Sequence, residues 1–270
     1  MTILRVAEGV QSPLFQSIRV QLRIIRALII REIIGRYGKE NFGFFWVIGE
    51  PMLLCFGVMV LWSITGQSHG GSVPVIPFAL TGYSHIQLWR LCVFGASHSI
   101  RRSAWLSYHP NVHTFDVLVA KAMMPAIGIF GAFLLAYGTL YVLNMIAAVE
   151  DPLLVTVAWV LDAFFCFSAA LVLAGLSELS ELFERLLHPI MYLTMPLTGT
   201  FVMAGWLPPK ARDVVGWSPL ANACEMLRAG VLGDTVPTYW NAWYILLCSL
   251  VLMALGLPLM TYAKRNVEIH

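Results

Sequence analysis

Arg90 is the only charged residue in the run from Phe78 to Ile100, and Asp162 is the only one between Leu153 and Leu176. Hydrocarbon offers a guanidinium nothing, so Arg90 must find water, an acidic side chain or an anionic ligand. Asp162 is the counter-charge within reach of such an arginine, and a structural ion pair stands as the alternative to a ligand-facing role. Glu225 and Arg228 are three residues apart, a spacing at which opposite charges pair on one helix face and stabilise it locally. Tyr83, Trp89 and Trp159 also fall inside apolar stretches. Each ring combines apolar area with one polar handle, which suits helix packing or stacking against a ligand moving past.

Covalent, nucleotide and metal chemistry have little support. No G-x-x-x-x-G-K-[ST] occurs, so the chain itself is not expected to hold ATP in a P-loop, and H-E-x-x-H is missing too. Gly95-Ala96-Ser97-His98, with His188 as a base, resembles an intramembrane serine protease, yet a small residue beside glycine in a membrane helix is ordinarily a packing residue. His85 and His98 are too badly phased at 100° per residue to share a helix face as haem or metal ligands. Cys55, Cys92, Cys166, Cys224 and Cys248 are scattered singly, without a disulfide framework or metal spacing, and read as small buried hydrophobes.

The elements that position these groups belong to a membrane domain. Hydrophobic residues make up 59% of the 270 and charged ones 12%, about half of what a soluble domain carries, and mean hydropathy is +0.75. Net charge is only +2, but the first forty residues hold seven of the seventeen lysines and arginines, as cytoplasmic flanks do. Met1 to Gln11 lacks the apolar run of a signal peptide. From Leu14 to Ile34, Phe15, Ile18, Leu22, Ile25 and Ile29 recur at helical steps, with Arg19, Arg23 and Arg26 along one flank. That predicts an amphipathic helix lying in the interface, either a plain positive anchor or one that also touches a partner.

Apolar length predicts spans over Phe44–Gly66 (with Glu50 near its inner end), Phe78–Ile100, Ala122–Ala147, Leu153–Leu176 and Tyr239–Ala263. Gly128, Ala132 and Ala136 form a small-residue stripe in the third, suited to close helix packing. The turn 67–77 has no lysine or arginine and the turn at Glu150–Asp151 is purely acidic, which puts both outside; Arg101, Arg102 and Lys121 put the second loop inside. Pro189–Leu207 is apolar but interrupted by Pro196, Gly199 and Gly205, and 208–234 is semi-polar with a helix too short to cross. Lys210, Arg212 and Arg228 depart from the charge rule there, tolerable if part of the segment dips into the membrane under cover of protein. Trp46, Trp206, Tyr239, Trp240 and Trp243 lie at span ends and predict interfacial belts. No inverted internal repeat is visible.

Residues 31–51 then carry a likeness to a known family. Arg31, Glu32, Arg36, Tyr37, Gly43, Trp46 and Pro51 fill the pattern R-[ED]-x-x-x-R-[YF]-x-x-x-x-x-G-x-x-W-x-x-x-x-P, which resembles that of permease subunits of ABC-2 type polysaccharide exporters, the capsular branch above all. Ser107-Tyr108-His109-Pro110-Asn111, with Trp105 just before it, resembles the short helix that such permeases offer to their ATPase. Ser218-Pro219-Leu220 followed by Glu225 and Arg228 resembles the family's N-P-L-x-x-x-x-E-x-x-R element, with Ser218 in place of the usual asparagine. Gly175 to Pro208 resembles a fifth span followed by re-entrant helices.

The resemblance implies an all-α integral membrane protein: six transmembrane helices, an N-terminal amphipathic interfacial helix, and re-entrant helices before the last span. It would form one domain, with 1–43 cytoplasmic or interfacial, 44–265 in the membrane, and both termini cytoplasmic in the bacterial inner membrane. The implied function is a non-enzymatic permease exporting lipid-linked capsular polysaccharide; an O-antigen or teichoic acid permease is the near alternative and an intramembrane protease the distant one. Implied partners are a second copy, two ATPase subunits holding ATP and Mg, a periplasmic co-polymerase or adaptor, and an outer-membrane channel. No cofactor is expected on this chain, and no nucleic acid. In that setting Arg90, Tyr83, Trp89, Trp159 and Asp162 are the expected pathway residues. Trp105, Ser107, Tyr108, His109 and Pro110 are the expected coupling residues, Arg31, Arg36, Tyr37 and Trp46 the interfacial gate, and Glu225 and Arg228 the outer-loop motif.

Overall fold

Prolines and short polar side chains set many of the helix boundaries. Asp151 accepts from the Leu154 N–H at 2.9 Å with Pro152 opening the helix behind it. Ser180 accepts from Phe183 at 3.3 Å, and Ser218, followed by Pro219, accepts from Ala221 at 3.4 Å. Each satisfies one of the orphan N–H groups of a first turn.

The computed structural model describes residues 13–37, 53, 57, 73–97, 99–102, 113–235 and 237–269. Its helices are α1 (Pro13–Tyr37), α2 (Val75–Ala96), α3 (Ser99–Arg102), α4 (Thr114–Val142), α5 (Pro152–Leu179), α6 (Glu181–Thr194), α7 (Pro209–Gly216), α8 (Pro219–Leu232) and α9 (Ala242–Ile269). Turns of 3-10 helix occupy Met195–Thr198, Ala204–Trp206 and Gly233–Thr235. No strand occurs among the described residues. The span expected over Phe44–Gly66, with Glu50, lies outside them, as do Gly43, Trp46, Pro51 and the coupling segment with Trp105, Ser107, Tyr108, His109 and Pro110. The side chains of Arg36 and Tyr37 do too.

Among the described residues α4, α5 and Ala242–Asn266 of α9 are long and apolar enough to cross a membrane. Their outward faces carry Ile127, Leu134, Leu135, Val160, Leu247, Val251 and Leu255, all exposed. A contiguous apolar exterior of this kind is stable in lipid and not in water. α2 is long enough, but Thr81, Ser84, His85, Gln87 and Arg90 lower its hydropathy; it is shielded by α4 and α5. The expected span to Ile100 instead ends at Ala96, turns at Ser97 and resumes as the short α3. α4 starts well before the expected Ala122, because Asp116 accepts the His113 N–H at 3.1 Å and closes its first turn. It ends at Val142, before the expected Ala147, just ahead of Asn144, which takes a positive φ of 56°.

Paired contacts set the directions of the helices. Trp89 lies against Phe165, and the Arg101 N–H donates to Glu178 at 2.8 Å, so α2 and α5 run parallel. Gly175 meets Leu259 and Gly256 meets Leu171, so α5 and α9 are parallel as well. A Cβ on either glycine would stand 2.7 Å from its neighbour, making this a close small-residue crossing. Ala132 and Ala136 of the predicted stripe are buried too. Parallel α5 and α9 require the chain to travel back between them. α6 does so along α2: Leu187 and Met191 pack on Val93 and His188 lies on Phe94, while Thr200 reaches Gly82 a few turns nearer the start of α2. The return is broken as the prolines and glycines predict, into α6, a 3-10 turn entered through Pro196, and Gly199 at φ 73°.

α1 is held on the bundle along one face. Leu28 is buried against Val117 and Ala120 of α4, with Ile24 and Ile29 beside it, and the Gln21 side chain donates to Asp116. Arg19, Arg23, Arg26 and Arg31 stay exposed. One face of the helix thus docks on the bundle while the basic flank lies on its exposed side.

Candidate functional site

Among the described residues, buried ionisable groups meet at two places in the bundle. At the first, Asp162 of α5 accepts from His85 of α2, with Nδ1 to Oδ2 at 2.8 Å and both side chains almost wholly buried. Cys166, one turn further along α5, lies 3.7 Å from the other carboxylate oxygen. Among the described residues the His85 Nε2 atom has no hydrogen-bond partner, nor do Ser84 Oγ and Trp89 Nε1, and these three polar atoms lie within two turns of α2. Native interiors leave few such atoms, and each asks for an explanation.

Arg90 is half-buried and makes no hydrogen bond or ion pair among the described residues. The pairing with Asp162 considered from sequence is therefore not formed, because His85 occupies that carboxylate. Trp89 stacks at 6.2 Å on Phe165, and the Tyr83 hydroxyl lies 3.4 Å from the Gln87 side-chain oxygen. Trp159 is buried, donates to the Ala126 carbonyl at 3.0 Å and stacks on Phe130. Its handle and one face are thus engaged within the bundle. His188, the base considered for Ser97, lies at 4.8 Å from Phe94 instead, ring against ring. No group of three or more histidine, cysteine, aspartate or glutamate residues able to hold a metal occurs among the described residues.

The second place is α8. Arg228 is fully buried, donates to the Gly199 carbonyl at 2.6 Å and the Thr200 carbonyl at 2.7 Å, and lies 3.9 Å over the Phe78 ring. Glu225 stands 3.9 Å from it and accepts the N–H groups of Ala204 at 3.1 Å and Tyr239 at 3.2 Å. Burial raises the Glu225 carboxyl above its ordinary range, and these two N–H groups and the Arg228 charge offset that rise only in part. Helix stabilisation alone, the role expected for the pair, is too small a description. The two side chains clasp irregular backbone on both sides of α7 and α8 to α2 and to the entry of α9, satisfying peptide groups that no helix satisfies. The exception to the charge rule is resolved in part, since Arg228 is enclosed and Arg212 donates to the Ala204 and Leu207 carbonyls. Ser218 caps α8 through its hydroxyl, a task asparagine performs about equally well.

The interfacial aromatics behave less uniformly than their positions predict. Trp243 is 79% exposed, and Tyr239 and Trp240 are exposed too, whereas Trp206 packs at 5.1 Å on Phe78. The sequence reading missed His85 as a partner. Its signal is a second ionisable side chain in the span that holds Arg90.

Comparison with known proteins covers nearly the whole chain. It is 34% identical over 254 residues to the capsule polysaccharide export inner-membrane protein CtrC of Neisseria meningitidis serogroup B, spanning 94% of this chain and 96% of that one. Identity to BexB of Haemophilus influenzae, which carries the same description, is 32% over 253 residues, again 94% and 96% of the two chains. The polysialic acid transport protein KpsM of Escherichia coli is more distant, at 21% over 250 residues, 89% of this chain and 93% of KpsM. No family model matches. On the strength of the first two likenesses, this all-helical membrane protein belongs to the family of capsule polysaccharide export inner-membrane proteins.

Proposed function

We propose that the chain is the permease subunit of an ATP-driven exporter that moves lipid-linked capsular polysaccharide across the bacterial inner membrane. The observation that carries the reading is end-to-end similarity to export proteins, extending over 94% of this chain and 96% of the CtrC chain. Two copies form the pathway, each with an ATPase subunit that holds ATP and Mg, and a periplasmic adaptor and an outer-membrane channel continue the route. The broken return through α6, antiparallel to α2, favours counting it as a fifth crossing. With 44–66 as the first, that gives six spans and cytoplasmic termini. α7 and α8 then belong to an outer re-entrant region.

Arg90 is the residue we assign to substrate contact, with Tyr83 and Trp89 beside it on α2. A half-buried guanidinium without a partner among the described residues keeps its donors for an anionic sugar or lipid phosphate. Asp162 supports that helix through His85. The test is reconstitution with the cognate ATPase in vesicles and assay of ATP-dependent movement of the capsular glycolipid. The expected result is a stable complex and transport that stops without ATP; absence of both complex and transport would overturn the reading.

A further inference from the structure

At the end of the bundle where α9 begins lies a cleft of ≈ 660 Å³ that none of the roles above uses. It sits between the C-terminal end of α7, Asn222 of α8 and the extended run 238–241 before α9. In the proposed topology this end faces out of the cell, together with the acidic Glu150–Asp151 turn. Its size falls within the range of small-ligand sites, about 300–1,000 Å³.

The walls are held by internal bonds. Asn222 is buried, donates to the Gly216 carbonyl at 2.7 Å and accepts the Asn241 N–H at 3.1 Å. The Tyr244 hydroxyl donates to the Trp217 carbonyl at 2.6 Å. Arg212 is fixed by its two backbone carbonyls, with its guanidinium 4.3 Å over the Tyr239 ring. Around this frame other groups stay open. Trp217 is 80% exposed and Trp240 39%. The Asp213 carboxylate, the Thr238 hydroxyl and the Asn241 amide nitrogen have no hydrogen-bond partner among the described residues.

Flat rings beside amide, hydroxyl and carboxylate groups match the two surfaces of a sugar: its C–H face packs on an aromatic and its hydroxyls take directed hydrogen bonds. A phospholipid headgroup fits less well. It would need an unopposed cation, yet Arg212 already gives two N–H groups to backbone carbonyls and the Asp213 carboxylate lines the same cleft. We propose that this cleft binds sugar rings of the exported polysaccharide as they leave the membrane, with Trp217 and Trp240 as stacking platforms and Asp213, Thr238 and Asn241 as hydroxyl partners. This rests on the export reading and adds a second, outer glycan site to it.

The test uses the full chain in complex with its ATPase, reconstituted in vesicles and nanodiscs. The probe is oligosaccharide released from the host capsule by mild acid, with binding measured by saturation-transfer NMR and calorimetry. Trp217→Ala and Trp240→Ala should each weaken binding about tenfold, as loss of a stacking ring does, and slow glycolipid export. Trp217→Phe should retain binding. Unchanged thermal stability and complex formation in the alanine variants show that the fold is intact. Wild-type affinity in both alanine variants would overturn the proposal. So would loss of co-purifying phospholipid, read by native mass spectrometry, in place of loss of oligosaccharide binding. A wild-type complex that exports but binds no oligosaccharide also overturns it, whereas a wild-type complex that exports nothing counts against the export reading itself.

Discussion

Asp162 and His85 form a buried pair between parallel helices, with 2.8 Å from carboxylate to ring nitrogen, at the level where α5 and α2 bring polar side chains together. The pair ties the helix that carries Arg90 to the most apolar part of the bundle. It also gives the buried Asp162 carboxylate a hydrogen-bond donor from the neighbouring helix.

Replacing Asp162 separates hydrogen bonding from charge. Asp162→Leu leaves the His85 ring without its acceptor in a buried site, a loss of about 1–3 kcal/mol. Asp162→Asn keeps a carbonyl oxygen for that donor and should unfold close to wild type. Thermal melts in detergent check this; equal losses for the two variants would mean that the charge, and not the hydrogen bond, holds the pair.

Arg228 and Gly82 are a matched set. A Cβ at Gly82 would stand 2.7 Å from the Thr200 carbonyl oxygen and 2.8 Å from an Arg228 nitrogen. Gly82→Ala should therefore cost about 1–3 kcal/mol through overpacking. Arg228→Lys keeps the charge but cannot span the Gly199 and Thr200 carbonyls with one planar fork, and should lose about 2 kcal/mol. Both losses are read as lower melting temperatures, with proteolysis concentrating between 199 and 206 where the clasp is released.

Ser218 offers a milder test of the same region. Ser218→Asn should be neutral, while Ser218→Ala should cost about 1 kcal/mol through loss of the cap on α8. If alanine is tolerated as well as asparagine, the cap is not what that position supplies.

Apolar length alone placed α4, α5 and α9 in the sequence, because a run of hydrophobic residues needs no knowledge of its neighbours. Pro196 with Gly199 marked, for an equally local reason, where the return through α6 breaks. The pairing of Asp162 was not legible. Periodicity tells which face of α5 the aspartate occupies but not that α2 lies parallel to it with His85 at the same height. Arg228 escaped in a similar way, since its partners are carbonyls of irregular backbone some thirty residues earlier. A charge that bonds to peptide groups leaves no complementary residue in the sequence to find.

The coupling prediction rests on sequence alone. Tyr108 and His109 belong to the segment resembling the ATPase-docking helix of the family, and aromatics of this kind anchor interfaces. Tyr108→Ala with His109→Ala should uncouple ATP hydrolysis from export without changing membrane insertion. Normal export by the double variant would remove this segment from the mechanism.

Arg90 is the sharpest case, because the structure changes what a double substitution should do. Had Arg90 been paired with Asp162, removing both side chains would have cost little and restored activity lost in Arg90→Leu. With Asp162 held by His85, the two positions are energetically separate, and Arg90→Leu combined with Asp162→Leu should be no more active than Arg90→Leu alone. Arg90→Leu itself should assemble with the ATPase and fail to export, since the guanidinium has no partner among the described residues whose loss would unfold the bundle. Arg90→Lys should export partially, retaining a point charge but not the planar fork that suits carboxylate and phosphate. Glycolipid export in vesicles, with assembly followed by pull-down, distinguishes these outcomes. Recovery in the double variant would mean that the two residues meet during the transport cycle and that Arg90 serves the bundle rather than the substrate.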